Sequence, residues 1–574
     1  MSAKGETVSH AHHAELGFWR KYVFSMDHKV IGIQYLLLSI VMALVGTGLA
    51  VLIRTQLAWP EKVILSPENY LSVVTIHGTI MIFFVVSTAL IGGFGNFLIP
   101  LHVGARDMAY PLLNMLSFWT VVPAALLIVL SFLVEGGAAA AGWTAYPPLS
   151  ALEEAVPGSG LGQTIWLLAM ALFIVSYTMG GLNYLTTILN CRTRGMSMMR
   201  LPLMVWTFLV STVLGLLAFP ALTAAAIMLL LDRHAGTSFF IPSGLVFGDK
   251  VLAHEGGTPV LFQHLFWFLG HPEVYVIVLP AIGVTFELLA TFGRRRPFGY
   301  KVSVVSLLVI AVLSMIVWGH HMFTSGMNPY VGKYFSVATL TITVPFAVLG
   351  MNLIASVWRS RIRLETPMLF ALAVISAVGC GGLGGLYLGT ATSDVYFHDS
   401  YFVVGHFHLM IGTVTLLSIF GGVYYWFPAM FGRRMSERLG TIHFWTTAVP
   451  MFGIFILMHF QGMGGLLRRT YDQTFYDYAL PAAELTRHIT ILACVLAAGQ
   501  VVFLANFFGS IWKGRKAEAN PWQATTLEWS IATPIPHGNW TGDLPVVHRW
   551  PYDFRSNGVR TDFLPQTAAE EVTS

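Results

Sequence analysis

Histidines carry the first chemical signal in this chain. They occur as His271-Pro272-Glu273-Val274-Tyr275, as His320-His321 and as His406-Phe407-His408, all inside strongly apolar surroundings. An ionisable group in such a segment costs on the order of 3 kcal/mol or more unless it finds a partner, so each is a site candidate. His271 and Tyr275 are one helical turn apart and share a face, while Glu273 between them points elsewhere. Adjacent imidazoles at 320 and 321 lie about 100° apart on a helix and converge on one metal only with a third ligand from another helix. His271 can supply that ligand. Three imidazoles without thiolate or carboxylate suit copper, zinc or iron.

The spacing of His406 and His408 sets their rings about 200° apart, so they serve two centres. Such an arrangement places two haems on either side of one helix. His77, in Thr75-Ile76-His77-Gly78, is a candidate second axial ligand, and Gly78 leaves room for a flat macrocycle. An isolated histidine such as His264 reads instead as a hydrogen-bonding partner for a neighbouring helix.

The elements that must position these groups follow from composition. The 574 residues are 55% hydrophobic and only 10% charged, far below the quarter expected of soluble proteins, and the mean hydropathy is +0.68. Runs of about 20 apolar residues, enough to cross a bilayer, recur near 31-53, 73-101, 112-134, 162-190, 204-231, 259-292, 301-322, 336-358, 368-389, 402-428, 444-461 and 489-512. The expected fold is all-α, a polytopic membrane protein of about twelve transmembrane helices. Residues 1-29 form an N-terminal segment, 30-512 one membrane domain, and 513-574 a Pro- and Trp-rich tail expected to lie as an extended strap.

Basic residues crowd one set of connections: Arg192, Arg194, Arg200; Arg294, Arg295, Arg296, Lys301; Arg359, Arg361, Arg363; Arg433, Arg434, Arg438; Lys513, Arg515, Lys516. That side is expected to be cytoplasmic, with both termini on it. The first thirty residues show no signal-peptide pattern. A net charge of +4 without a basic block gives no reason to expect nucleic acid. Cys191, Cys380 and Cys494 are far apart and form no CxxC or CxxCH pair, which excludes a c-type haem, a cysteine-held cluster and a disulfide framework.

At these residues the chain closely resembles subunit I of the haem-copper oxidases, in the mitochondrial-like A-type branch that includes cytochrome c oxidase. The likeness runs from about Trp19 to Trp540. HPEVY, WGHHMF and HDSYFVVGHFH agree together with the helix spacing. The resemblance implies a respiratory enzyme that reduces dioxygen to water and translocates protons. It implies that His77 and His408 ligate a low-spin haem, and that His406 holds a high-spin haem facing copper B on His271, His320 and His321. Tyr275 resembles the tyrosine that is linked to its neighbouring copper ligand and supplies an electron and a proton for O–O cleavage.

The resemblance further implies that Arg468 and Arg469 hold haem propionates, with Trp143 beside them and Arg54 as another cofactor-binding residue. His398 and Asp399 match ligands of a magnesium ion at a subunit interface. Haem a is the type favoured by the likeness, although the ligands do not distinguish a, b and o. The implied partners are subunit II, carrying a dinuclear copper site this chain lacks the cysteines to build, subunit III, and cytochrome c or a bound c-type domain as donor, within a respiratory supercomplex in one arrangement. The bacterial inner membrane is the expected location.

Protons must come from the inside. Asp107 lies in a connection expected to be cytoplasmic, and Asn96, Asn114, Asn183 and Asn190 recur near that end. The resemblance makes them a D-type channel leading to Glu273, with Met115 where the family often has a second asparagine. A larger departure follows Val344-Pro345. Relatives have Thr-Gly-x-Lys there, whereas this chain has Phe346-Ala347-Val348-Leu349. Glu287 stands where relatives often have histidine and is the candidate to feed protons to Tyr275 instead. Competing readings are a nitric oxide reductase of the same superfamily, opposed by Tyr275 and Asp107, a cofactor-free ion transporter, and a di-haem electron conduit that leaves His271, His320 and His321 unexplained.

Overall fold

A computed structural model describes residues 17–153, 155, 159–247, 249–252, 254, 256–554 and 562–569. Most of the N-terminal segment expected at 1-29 and parts of the 513-574 tail therefore lie outside the described residues. Among the described residues, eleven helices are long and apolar enough to cross a membrane, and a twelfth is shorter. In chain order they are α1 His28–Ala58, α2 Pro67–Val103, α3 Pro111–Leu133, α4 Leu161–Asn190, α5 Leu203–His234, α6 Pro259–Gly293, α7 Tyr300–Ser314, α8 Pro329–Val357, α9 Thr366–Leu388, α10 Tyr401–Phe431, α11 Glu437–Met463 and α12 Asp477–Lys513. The chain is a multi-pass membrane protein.

Local chemistry sets several starts. Pro67, Pro111, Pro259 and Pro329 open their helices, where a missing N–H costs nothing. Asp27, Ser66, Asn328 and Ser436 cap α1, α2, α8 and α11 by accepting backbone N–H bonds. Two helices loosen at their centres. Ile80–Gly95 within α2 and His408–Thr413 within α10 are wound with five-residue hydrogen bonding, a widening that often marks functional sites. It rotates Asn96 relative to His77 away from the phase an ordinary helix would give.

The seventh apolar run differs from expectation. Its α-helix stops at Ser314, and His320 and His321 sit on a separate tight turn, Trp318–Met322. The turn presses against α8. A Cβ on Gly319 would come within 2.3 Å of the Phe335 ring.

Beyond Lys513 the described chain is mostly irregular and packs along one end of the bundle. Arg294, buried at the C-terminus of α6, anchors it by donating to Asp562 (3.0 and 2.6 Å) and to the carbonyls of Trp522 (3.2 Å) and Gln523 (2.8 Å). Trp522 Nε1 donates to the Tyr425 carbonyl (2.8 Å), and Asn539 donates to the Ala105 carbonyl (2.8 Å). Removing the guanidinium deletes these donated bonds, so Arg294→Ala is expected to destabilise the fold by about 3 kcal/mol. A lowered thermal midpoint of the detergent-solubilised protein, partly restored by Arg294→Lys, is the expected result.

Candidate functional site

Three imidazoles converge where α6 meets the 318–322 turn. His271 Nδ1 stands 3.3 Å from His321 Nε2, which is 3.1 Å from His320 Nε2. All three nitrogens lie within 4.8 Å of one another. The tautomer of His320 is set from behind, because its Nδ1 is 2.9 Å from Thr339 Oγ1, and that hydroxyl already donates to the Phe335 carbonyl. Nε2 of His320 is thereby left as a lone pair aimed at the other rings. Facing lone pairs repel unless a cation sits between them, so the donor set fits a resident copper ion. Trp267 stacks on His321 at 3.8 Å and 13°, fixing its plane. The Tyr275 ring lies 4.8 Å from His271, whose Nε2 is buried without a partner.

His406 and His408 leave α10 in different directions. The first points to α9, where Nδ1 is 2.9 Å from the Gly381 carbonyl, and it lies within electrostatic reach of His320. A Cβ on Gly384 would come 3.0 Å from His406 Nδ1. Gly384→Val is accordingly expected to displace this ring and, if His406 holds the haem that the resemblance implies, to lower carbon monoxide binding by the reduced protein by about tenfold.

His408 and His77 both line a cavity of about 440 Å³. Each binds a backbone carbonyl through Nδ1, His77 that of Gly46 and His408 that of Val404, both at 2.9 Å. Their Nε2 atoms remain available as axial ligands. Gly78, Trp143, Arg54, Arg468 and Arg469 line the same cavity. The Trp143 ring takes the space a Cβ on Gly78 would contact at 3.3 Å. Arg54 is buried, donates to the Thr486 carbonyl at 3.4 Å, and has no partner for Nε. A flat macrocycle with acidic or carbonyl substituents satisfies these donors, so the residues fit a haem.

At that end of the bundle Arg468 donates to Asp399 at 2.6 Å. Burial works against the Asp399 charge, but the Arg468 guanidinium holds its carboxyl below the usual range. Burial and the Arg468 charge bring Arg469 down to about 10. His398 Nδ1 is 3.0 Å from Asp394, and its Nε2 is 3.9 Å from Asp399.

The opposite end carries Asp107, whose Oδ1 accepts from Met108 N at 2.7 Å. Burial raises its carboxyl to about 6, against the lowering effect of the Met108 N–H bond, a value suited to taking up and passing on protons near neutrality. Asn183 brackets the Tyr110 backbone, accepting from its N–H (2.9 Å) and donating to its carbonyl (3.1 Å). Asn96 donates to the Tyr184 hydroxyl (2.7 Å), while its Oδ1 and both amide atoms of Asn114 are buried without partners. Such orphaned polar atoms call for water. Asn190 is exposed at the end of α4 and is not brought to this group.

Above them sit groups that spacing alone misses. The Tyr35 hydroxyl meets Ser117 (2.9 Å) and Ser176 (3.5 Å), and Ser87 donates to Glu273 at 3.1 Å. Glu273 Oε2 is unpartnered. Isolated hydroxyls in an apolar helix give no sequence signal, because they can bond their own helix as readily as a neighbour.

Glu287 is buried, accepts a bond from Tyr552, and stands about 120° around α6 from Tyr275. The residue expected to feed protons to Tyr275 thus has Tyr552 as its hydrogen-bond partner.

A helical bundle with a three-imidazole cluster beside a two-imidazole cavity defines a membrane protein built for redox cofactors. Residues 30–502 match the family described as Cytochrome C and Quinol oxidase polypeptide I. The chain is 45% identical over 96% of its length to the Alternative cytochrome c oxidase subunit 1 of Bradyrhizobium diazoefficiens, covering 93% of that protein. It is 41% identical to the Cytochrome c oxidase subunit 1 of Thermostichus vulcanus, over 94% of each, and 36% identical to the Quinol oxidase subunit 1 of Bacillus subtilis, over 96% of this chain and 83% of that one. A haem-copper terminal oxidase dimer solved by cryo-EM shares the fold with a TM-score of 0.67 at 19% identity, covering 86% of this chain and 85% of that one. The chain belongs to this family and is the catalytic subunit of a haem-copper terminal oxidase, whose members carry haem and copper B.

Proposed function

We propose that this chain reduces dioxygen with electrons from cytochrome c, and that His77 and His408 hold a low-spin haem, His406 a high-spin haem, and His271, His320 and His321 copper B. The carrying observation is the convergence of three imidazole nitrogens within 4.8 Å beside Tyr275 and His406. When bound, haem and copper supply the electrons and the place where dioxygen is held.

The protein's own groups do the rest. Tyr275, against His271, gives a proton and an electron to the reacting oxygen, and His271 Nε2 is free for the link to Tyr275 that the resemblance implies. Asp107 takes protons from the aqueous side, and water held by Asn96, Asn114, Asn183, Ser117, Ser176 and Tyr35 passes them to Glu273. Arg468 and Arg469 neutralise haem propionates. The orphaned Nε of Arg54 is suited to a ring carbonyl and supports haem a. His398 and Asp399 offer a nitrogen and a carboxylate for magnesium, to be completed by subunit II, through which electrons arrive. The Asp107 end faces the cytoplasm, with both termini, and the haems sit toward the outer face.

The test is iron, copper and haem analysis of the purified complex with oxygen uptake from reduced cytochrome c. Two haems and one copper per copy of this chain, beyond what partner subunits hold, are expected with uptake. Iron in the copper position would favour the nitric oxide reductase reading, and a protein without haem bands would return the cofactor-free transporter.

A further inference from the structure

Glu287 follows Glu273 on α6 by fourteen residues, almost four full turns, so both carboxylates stand on one face about 40° apart. Glu273 accepts from Ser87 of α2, and near Glu287 the face meets α5. A Cβ on Gly283 would lie 2.2 Å from Thr207 Oγ1 and 2.8 Å from Met204 Cα, so the missing side chain lets the α5 hydroxyl approach. One turn further along α5 comes Ser211, fully buried, whose Oγ has no hydrogen-bond partner. Thr212 Oγ1 is also unpartnered. The Ser211 carbonyl accepts from the Tyr177 hydroxyl at 3.2 Å, and Tyr177 lies within electrostatic reach of Glu273.

At the other end, Tyr552 of the C-terminal strap donates to Glu287 and accepts from Leu203 N at 2.8 Å. Thr207 Oγ1 donates to the Met204 carbonyl at 2.7 Å, whereas the orphaned hydroxyls of Ser211 and Thr212 call for water. On the α8 side an apolar ring stands beside Tyr275. Phe346 lies 6.4 Å from the Tyr275 ring, and Leu349 is fully buried.

We propose that Glu287 heads a second proton arm that runs along the α5–α6 interface past Thr207, Ser211 and Tyr177 and joins the first route at Glu273, with Tyr552 as its lid. The proposal rests on reading Glu273 as the proton relay. A proton reaching Glu287 by way of Tyr552 or a water beside it moves onto the hydroxyl and water file. It arrives at Glu273 after that carboxyl has released its own, so no net charge stays in the interface. No electron transfer is involved. Both protons for chemistry and protons for translocation then pass one carboxylate.

The test uses the intact oxidase complex and measures turnover in Asp107→Asn, Glu287→Gln and Ser211→Ala, singly and combined, with haem spectra to establish folding. Asp107→Asn should leave a residual rate, and adding Glu287→Gln or Ser211→Ala should lower that residue by about tenfold. A double variant as fast as Asp107→Asn alone would overturn the arm. If Asp107→Asn turns over like the unmodified enzyme, the Asp107 route fails instead. In that case a roughly tenfold loss in Glu287→Gln supports the arm and an unchanged rate overturns it. In a Glu273→Gln background Glu287→Gln should add nothing to the rate of anaerobic high-spin haem reduction, and further slowing would overturn Glu273 as the junction. Ser211→Ala, which removes one oxygen, carries the test if Glu287→Gln loses its haem.

Discussion

Replacing His321 by alanine is expected to abolish oxygen reduction, lowering turnover by at least about a thousandfold, roughly 4 kcal/mol of barrier. His321 Nε2 is the nitrogen common to both short separations in the cluster, 3.3 Å to His271 and 3.1 Å to His320. Without it two imidazoles remain, too few for a closed site of this type. Copper content should fall with activity, while the absorbance of the low-spin haem proposed above persists, since His77 and His408 are held by carbonyls of Gly46 and Val404 outside the cluster. A variant that keeps its copper and its oxygen uptake would remove His321 from the site. Trp267→Phe, which retains an aromatic face against His321, should cost far less in copper content.

The second large effect belongs to Glu273→Gln, expected to lower turnover by about a hundredfold or more, within the range for a lost proton-transfer group. The amide retains the size of the carboxyl and can accept the Ser87 bond that Glu273 accepts at 3.1 Å, so packing is preserved and proton exchange alone is lost. Reduction of the low-spin haem should stay fast in stopped flow, and the block should appear in the proton-coupled steps after dioxygen binds. Full turnover with unchanged proton uptake in vesicles would refute the assignment. Asp107→Asn should resemble it more weakly, because a surface mouth can be bypassed and a buried relay cannot.

Much of the site was legible in the sequence because its geometry is local. The i, i+4 spacing put His271 beside Tyr275, and the two-residue spacing sent His406 and His408 to different helices; both follow from the helical repeat alone. The apolar runs likewise announced the spans, since a bilayer demands about 20 residues of them. Other features depended on departures from that repeat. His320 and His321 sit on a tight turn instead of a helix, and the wide winding at Ile80–Gly95 re-phases Asn96, so neither position could be read from an ideal helix. Asn190 shared the residue type of Asn96, Asn114 and Asn183 but faces outward, a matter of one helix face that composition does not encode.

What the sequence by itself determined is the kind of chemistry: imidazoles without thiolates, a tyrosine one turn from a ligand, and carboxylates inside apolar helices. Only the tertiary structure decided which groups meet. It closed the three-imidazole cluster across α6 and a distant turn, and built one cavity from residues as far apart as Arg54 and Arg469. It also placed Glu287 under Tyr552 of the strap. The reason is physical: the phase of a residue on its own helix follows from a fixed 100° step, whereas the neighbour it faces is set by how whole helices pack, which no local spacing contains.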